Sequence, residues 1–579
     1  MMSSNLLRIS CSSLLKAPIR ILSSAGLSSR KNLTANENQF GFKVIEKINH
    51  SIRTSFNSDN KISDQKLKQV YQLKERVQLL NYSEYMTILT AMVSQKEKSK
   101  NLGRDHHEML KHVSQYAVNS YRSWTMDQVL TASTIIFYNL DDNYRAKFAI
   151  RVMPYLQEQI ISMSTQQFVQ FMFLINLIRK FNCTNVTILE SKVESCLTEC
   201  TLDQICVVFM GMFKSQTSLT SITTLNKIIE FVERSSRILN DIQLSIVLKF
   251  LSYHKKMYGA IQSMHIQNIF LERLPLLNTY NCSHILSIGQ YQRSYNREIV
   301  NYCVKKLLHE IKLVRLKEIE KLLQCLCFLN QSIFEDINVC QLLLDELKSE
   351  QRKEELIMHP KSLVNLLFNL SLLNPLPDDF LELVLSEEFI KALPRERYPL
   401  VDFYLYNIAI SSAIEKPGYK GPMPSMKFLK EVRNKWIFKD HKSNQSMGLS
   451  ILSRIEEAVE KSQILHVLPS YAMPDVVFCE TEDGVRIPLP EEYKKSDEII
   501  RKPTDNQLKW NVVVLGMKNK YQSDSQQPIA AFSQRLNLLR KLGYHVIEAP
   551  WWEVSWRSDA KIMESVNMLL KRRLPPDSK

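Results

Sequence analysis

The residues best suited to touch a nucleic acid are gathered between Lys518 and Trp556. Lys518, Lys520, Arg535, Arg540 and Lys541 offer cations to phosphate oxygens, and Tyr544, Trp551, Trp552 and Trp556 offer flat faces on which bases stack. Three of the six tryptophans in 579 residues fall here, so the enrichment belongs to this stretch and not to the composition. The same side chains have a plainer use. Aromatics at strand ends pack a sheet against its helix, which suits Tyr544 and one of the adjacent tryptophans. Trp551 and Trp552 are then expected to divide, one inside and one outside. Lys571-Arg572-Arg573 either adds non-specific attraction or caps a last helix.

The elements that must carry these residues read as strand, helix, strand, helix. KWNVVVLGMKN, residues 509–519, is a buried-strand pattern, followed by a helix over 528–542, a strand over 544–549 and a helix over 559–570. Upstream, MPDVVFC (473–479) and 485–489 flank an Asp483-Gly484 turn. This order predicts a small α/β domain.

Ahead of it, from about Gln65, apolar residues recur at three- and four-residue spacing. TMDQVLTASTIIFY, STQQFVQFMFLI, TLDQICVVFMGMF and NDIQLSIVLKFLSY each open on a polar capping residue. Gln128, Gln167, Gln204 and Gln243 mark a register of 39, 37 and 39 residues. Such a period predicts a degenerate helix-pair repeat, an α-solenoid. Basic groups on it, Lys255-Lys256 beside His254, Lys305-Lys306, Lys312 with Arg315, and Arg352-Lys353, are candidates to follow a phosphate backbone if they align. Taken singly, each is an ordinary solvated position.

The chain has 12 glycines against 21 methionines and a net charge of +15. Scarce glycine disfavours a glycine-rich nucleotide-binding enzyme, and the charge favours acidic partners. Eleven cysteines lie mostly in apolar helical patterns, without a disulfide framework or zinc-ligand spacing. Residues 1–30 carry arginine, lysine and serine with no acid, the composition of a mitochondrial presequence, and residues 31–64 read as a flexible linker. No uninterrupted spanning segment follows.

With Arg535, Leu539, Leu542-Gly543-Tyr544, Val546, Pro550-Trp551 and Glu553, the C-terminal region resembles the RAP domain of the FAST kinase domain-containing proteins, a family of mitochondrial RNA metabolism. SLVNLLFNLSLLNPLP, from Ser362, and KPGYKGPMP, from Lys416, resemble that family's two FAST modules. The resemblance implies a mainly α chain: a helical-repeat region over 65–290, FAST-like modules over 291–378 and 385–470, and a RAP-containing α/β domain over 471–570 with its motif core at 510–567. It further implies a fold similar to PD-(D/E)xK nucleases. In that comparison Asp475, Lys518 and Glu548 are the catalytic candidates, two carboxylates to hold a divalent metal such as magnesium and a lysine to activate water. Gly516 stands where the motif wants an acid, so the site is incomplete. Phosphotransfer is not implied, since no GxGxxG, HRD or DFG is present.

Three functions remain open at this point. The first is a non-catalytic RNA-binding factor of the mitochondrial matrix, without cofactor, acting in processing, maturation or stability of transcripts. Its partners would be mitochondrial RNA and other RNA-processing or ribosome-assembly proteins. The second is a metal-dependent ribonuclease with an atypical site. The third is a protein-interaction scaffold.

Overall fold

The computed structural model describes residues 25–49, 52, 80–98, 104–140, 142–178, 185–438 and 446–554, except 394, 396, 397, 469, 470, 472, 496 and 497, and also residues 564, 565 and 568. The leader before residue 25, Trp556, most of the expected 559–570 helix and Lys571-Arg572-Arg573 lie outside the described residues. The fold is mainly α, a helical-repeat array with a small α/β region toward the C-terminus. Residues 28–288 form one compact unit, and a second is built mainly from residue 289 onward.

In the first unit helices alternate between two layers. α2 (Met126–Asn139), α3 (Thr165–Ile178), α4 (Leu202–Ser215) and α5 (Asp241–Tyr253) pack in succession. Their partners form the other layer, Arg104–Ser120 against Asp142–Glu158 and Val186–Glu199 against Ile222–Ser235. Every residue of α3 from Phe168 to Leu177 is buried, as expected of a helix flanked on several sides.

The four register glutamines have a physical cause. Each is the third residue of its helix and closes a capping box. Gln128 and Thr125, Gln204 and Thr201, and Gln243 and Asn240 exchange side-chain and backbone bonds, as do Gln167 and Ser164 at 2.9 and 3.2 Å. Two of them also reach the preceding repeat. Gln167 Nε2 donates to Asp127 Oδ1 at 2.8 Å, and Gln243 Nε2 donates to Asp203 Oδ1 at 2.7 Å. Glutamine at this position fixes both a helix start and the stacking of neighbouring repeats.

The expected linker is in part a helix, α1 (Ala25–Ile48), laid along α2 to α5. Phe42 stacks on Tyr138 at 4.1 Å, and a side chain at Gly41 would strike the Phe173 ring at 2.7 Å. Asn176 Nδ2 donates to Asn38 Oδ1 at 3.1 Å, and Asn49 Nδ2 donates to Thr131 and Gln170 at 2.9 and 3.1 Å. Buried Glu37 pairs with buried Lys249 and lies 3.9 Å from Lys214. Polar composition concealed this helix because its apolar positions are few and its partners, polar and aromatic, lie far along the sequence.

The second unit continues with α6 (Leu316–Leu329), α7 (Pro360–Leu373) and α8 (Pro399–Glu415), which pack in sequence. Among the described residues no single helix is long and apolar enough to cross a membrane. The apolar pair Glu350–Met358 and Pro360–Leu373 is bent by 111°. The described cysteines are free and, Cys200 apart, buried, which suits reduced core residues.

The sheet follows α9 (Ser446–Ala458). Its strands are β1 (Gln463–Leu465), β2 (Asp475–Glu480), β3 (Arg486–Ile487), β4 (Lys509–Gly516) and β5 (His545–Pro550), in the spatial order β1-β2-β4-β5 with β3 also on β2. β2 and β4 are antiparallel. β4 and β5 are parallel and are joined through α10 (Ala530–Lys541). One face packs on α9 through Val476, Phe478, Val513, Leu515, Ile547 and Ala549 against Ile451, Leu452 and Ile455. α10 covers the other face and binds the helical array, with Gln534 Nε2 donating to the Ser371 carbonyl at 2.6 Å and Asn330 Nδ2 donating to Ser533 Oγ at 2.9 Å.

Candidate nucleic-acid interface

Because β4 and β5 are parallel and Gly516 is aligned with Pro550, the residues that follow the two strands leave the sheet side by side. Lys518 begins a 3₁₀ turn over Lys518–Lys520, and Trp551 begins a short helical turn over Trp551–Val554. The exposed Lys518 ammonium lies 5.8 Å from the Trp551 ring centroid. Trp551 meets Trp552 edge-on at 6.1 Å, and Trp552 meets Tyr521 at 4.6 Å. The expected one-in, one-out division of the tryptophans does not occur. Both are half-buried, since Trp552 leans on Tyr521 while Trp551 is held between Trp552 and Lys518. A cation beside indole faces, at the carboxyl ends of parallel strands, is a place where ligands bind in open α/β sheets.

The other sequence candidates are not gathered there. α10 carries the chain back to the amino end of β5, which leaves exposed Arg540 and Lys541 at the opposite end of the sheet. Arg540 bonds Asn537 Oδ1 of its own helix at 2.9 Å, and Lys541 lies 4.0 Å from Glu415. Gly543, at φ +99°, ends α10 in a Schellman turn, with Gly543 N–H donating to the Arg540 carbonyl and Tyr544 N–H to the Leu539 carbonyl. That turn sends Tyr544 inward. Its hydroxyl is 2.8 Å from that of Tyr493 and donates to the Arg501 carbonyl at 3.1 Å, so Tyr544 is a core residue and not a stacking platform.

Arg535 is likewise corrected from phosphate contact to core. It is 1% exposed; its Nη2 donates to Asp475 Oδ1 at 2.6 Å and to the Met473 carbonyl at 2.7 Å, above the Tyr471 ring. Lys520 is partly exposed, and its ammonium lies in the field of the Arg535 and Arg293 guanidiniums. Burial, then those two charges, pushes it down to about 8.

The nuclease-like candidates are each committed elsewhere. Asp475 is fully buried against Arg535; burial pushes its carboxyl up while the guanidinium opposes the shift. A Cβ on Gly516 would come within 2.0 Å of the Tyr521 hydroxyl, and that hydroxyl donates to Glu548 Oε1 at 2.7 Å. A phenol therefore fills the space of the motif's missing acid and engages the carboxylate offered to replace it. Among the described residues no group of three or more His, Cys, Asp or Glu side chains is placed to hold a metal ion. Sequence reasoning marked Gly516 but missed Tyr521; the glycine directly before a Lys-Asn-Lys-Tyr turn was the available signal.

The basic groups of the array are also largely engaged. Arg352 is buried between Glu346 and Glu355 at 2.7 and 2.8 Å. Lys305 meets Glu335 at 3.0 Å, Lys306 meets Glu310 at 3.2 Å, Arg315 pairs with Glu318 and Lys353 with Glu350. His254 is buried, and burial pushes its imidazole down to about 4. The exposed positions Lys256 and Lys312 are left as plain surface cations.

No family model matches this chain. The chain is similar to FAST kinase domain-containing protein 5, mitochondrial, of Mus musculus, at 23% identity over 354 residues covering 60% of this chain and 44% of that protein. It is similar to the Homo sapiens protein of the same name at 22% over 350 residues, with the same coverage, and to that of Macaca fascicularis at 23% over 360 residues. The match spans less than half the length of these relatives. All are mitochondrial proteins by name, which supports a mitochondrial location, and the chain is thus similar, at a distance, to mitochondrial FAST kinase domain-containing proteins.

Proposed function

We propose that this protein is an RNA-binding factor of the mitochondrial matrix that acts without catalysis of its own, and without a cofactor, in the processing, maturation or stability of mitochondrial transcripts. The observation that carries this reading is the Lys518–Trp551–Trp552 cluster at the carboxyl ends of β4 and β5, where a phosphate and an adjoining base can be met together. The net charge of +15 and the distant likeness to mitochondrial FAST kinase domain-containing proteins support it. The RAP-like and FAST-like assignments belong to this proposal, as do RNA-processing or ribosome-assembly proteins as partners. A bound RNA would be masked from nucleases or presented to a separate enzyme.

Ribonuclease action is the weaker reading, because Asp475 and Glu548 already serve Arg535 and Tyr521. Ultraviolet crosslinking of the tagged protein in isolated mitochondria, followed by sequencing of the bound RNA, tests the proposal. Discrete peaks on a few organellar transcripts are expected. Import without crosslinks would transfer the function to protein–protein scaffolding.

A further inference from the structure

We infer that Arg293 and Lys520, backed by Arg535, form a binding site for a single phosphoryl group, and that in the RNA-binding reading this group belongs to the bound RNA. The three cations come from separate parts of the second unit: the turn preceding Arg297–His309, the 3₁₀ turn after β4, and α10. Arg535 is neutralised by Asp475, yet its buried Nε has no hydrogen-bond partner. The buried Arg293 Nε has none either. No described carboxylate is paired with Arg293 or Lys520, and the charges bearing on the Lys520 ammonium are Arg535 and Arg293, both of its own sign. Buried polar groups are ordinarily paired, and like charges gathered around two buried N–H groups without partners call for an anion.

The site is built, not a chance meeting of flexible side chains. Arg293 adopts φ 53°, a left-handed conformation uncommon for a residue with a side chain, and the turn around it is fixed by hydrogen bonds. Ser523 N–H donates to the Arg293 carbonyl at 3.2 Å, Ser523 Oγ donates to the Gln292 carbonyl, and Ser294 N–H donates to the Gly289 carbonyl at 3.2 Å. Gly289 is required there, since a Cβ would lie 2.4 Å from the Ser294 carbonyl oxygen. From the other side, Gln522 Nε2 donates to the Leu329 carbonyl at 3.0 Å and Ile529 N–H donates to the Lys520 carbonyl at 3.0 Å. The loop that carries Lys520 is thereby fastened to the turn that carries Arg293.

The ligand is a phosphate and not a carboxylate on grounds of charge and shape. Two uncompensated cations match a monoester near charge −2, and the guanidinium fork suits tetrahedral phosphate oxygens. Lys520 also stands two residues after Lys518, so a strand stacked on Trp551 can reach the site with one of its own phosphates.

The test uses the full chain and two probes. The first is inorganic phosphate against chloride at matched ionic strength, read as a shift in thermal midpoint; the second is one RNA sequence carrying a 5′-phosphate, a 3′-phosphate or hydroxyl ends. Phosphate is expected to raise the midpoint in the native protein but not in Lys520→Met or Arg293→Gln. Both variants are expected to be no less stable than the native chain in chloride, because each removes one of a group of like charges without a paired carboxylate; a purely structural role predicts the reverse. Tighter binding of one phosphorylated end, lost in Lys520→Met, assigns a terminal monoester. An equal loss for all three RNAs assigns an internal diester, and both results support the site. Phosphate stabilisation with no RNA binding keeps the site and removes the RNA reading. No advantage of phosphate over chloride, with variants that bind RNA like the native protein, overturns the site and leaves the RNA reading standing.

Discussion

Arg535 Nη2 donates to Asp475 Oδ1 at 2.6 Å, with both side chains 1% exposed, and this pair ties α10 to the first residue of β2. A carboxylate that fits a nuclease pattern by position is thus a structural counter-ion. Removing one partner leaves an uncompensated charge in the core. Asp475→Ala and Arg535→Ala are each expected to lose about 3–5 kcal/mol of stability. The double replacement Asp475→Asn with Arg535→Met is expected to lose less than either. Urea unfolding checks this; full stability in Asp475→Ala would show that the pair does not bind α10 to the sheet.

Gly516 and Tyr521 compete for one volume. Gly516→Ala forces its methyl against the phenol at 2.0 Å from the hydroxyl and 2.7 Å from the ring. We expect a cost of about 1–3 kcal/mol, the usual range for overpacking, and recovery when Tyr521→Leu is added. Gly516→Asp, which restores the nuclease motif, is expected to destabilise the protein and to confer no magnesium-dependent cleavage of RNA. Cleavage by that variant would revive the ribonuclease reading.

At the carboxyl ends of β4 and β5, stacking and charge make separable contributions. Trp551→Ala is expected to weaken binding of a single-stranded RNA by about 1–3 kcal/mol, the range for one lost base stack. Lys518→Ala should lower the magnitude of the salt slope of log K by about 0.7, since one phosphate contact disappears. Arg540→Ala, at the far end of the sheet, should change neither quantity. Binding isotherms at several salt concentrations measure all three, and equal losses in all of them would mean that RNA spreads over the whole α/β surface.

Glu37 gives α1 its charge complement to α5. With Glu37 and Lys249 both buried, Glu37→Ala leaves a lysine without its counter-ion and should cost about 3 kcal/mol or more. Lys249→Met in the same chain should recover much of that loss. Limited proteolysis between residues 25 and 49 supplies the readout, and cleavage unchanged by Glu37→Ala would show that the pair does not hold the helix.

The alternation of repeats and the strand–helix–strand order were legible because each rests on local periodicity and caps. Gln128, Gln167, Gln204 and Gln243 could be read because a capping box needs a side-chain amide or carboxylate three residues past the cap. The α1 helix escaped notice because Glu37, Asn38 and Gly41 look like a linker until Lys249, Asn176 and Phe173 are set against them. The site was half legible. Lys518, Trp551 and Trp552 follow adjoining strands, and the parallel register that joins them is non-local. Arg535 and Tyr544 look the same in sequence as exposed contacts, and only the packing of α10 and its glycine turn sends them inward. Arg293 lies more than two hundred residues from Lys520, so no sequence pattern links them.

His254 gives the first unit a dependence on pH. Its Nδ1 lies 2.9 Å from the Phe250 carbonyl, and burial lowers its pKa from 6.5 to about 4. The imidazole is neutral in the folded chain, whereas the unfolded chain takes up a proton as pH falls through 6.5. The stability it contributes is complete above 6.5 and is lost as pH falls toward 4, at up to about 1.4 kcal/mol per pH unit. Hydrogen exchange in α5 of the full chain, compared at pH 7 and pH 5 after correction for the intrinsic rate, should show reduced protection at the lower pH. His254→Gln should flatten this difference, and an unchanged pH dependence in that variant would assign the effect to other groups.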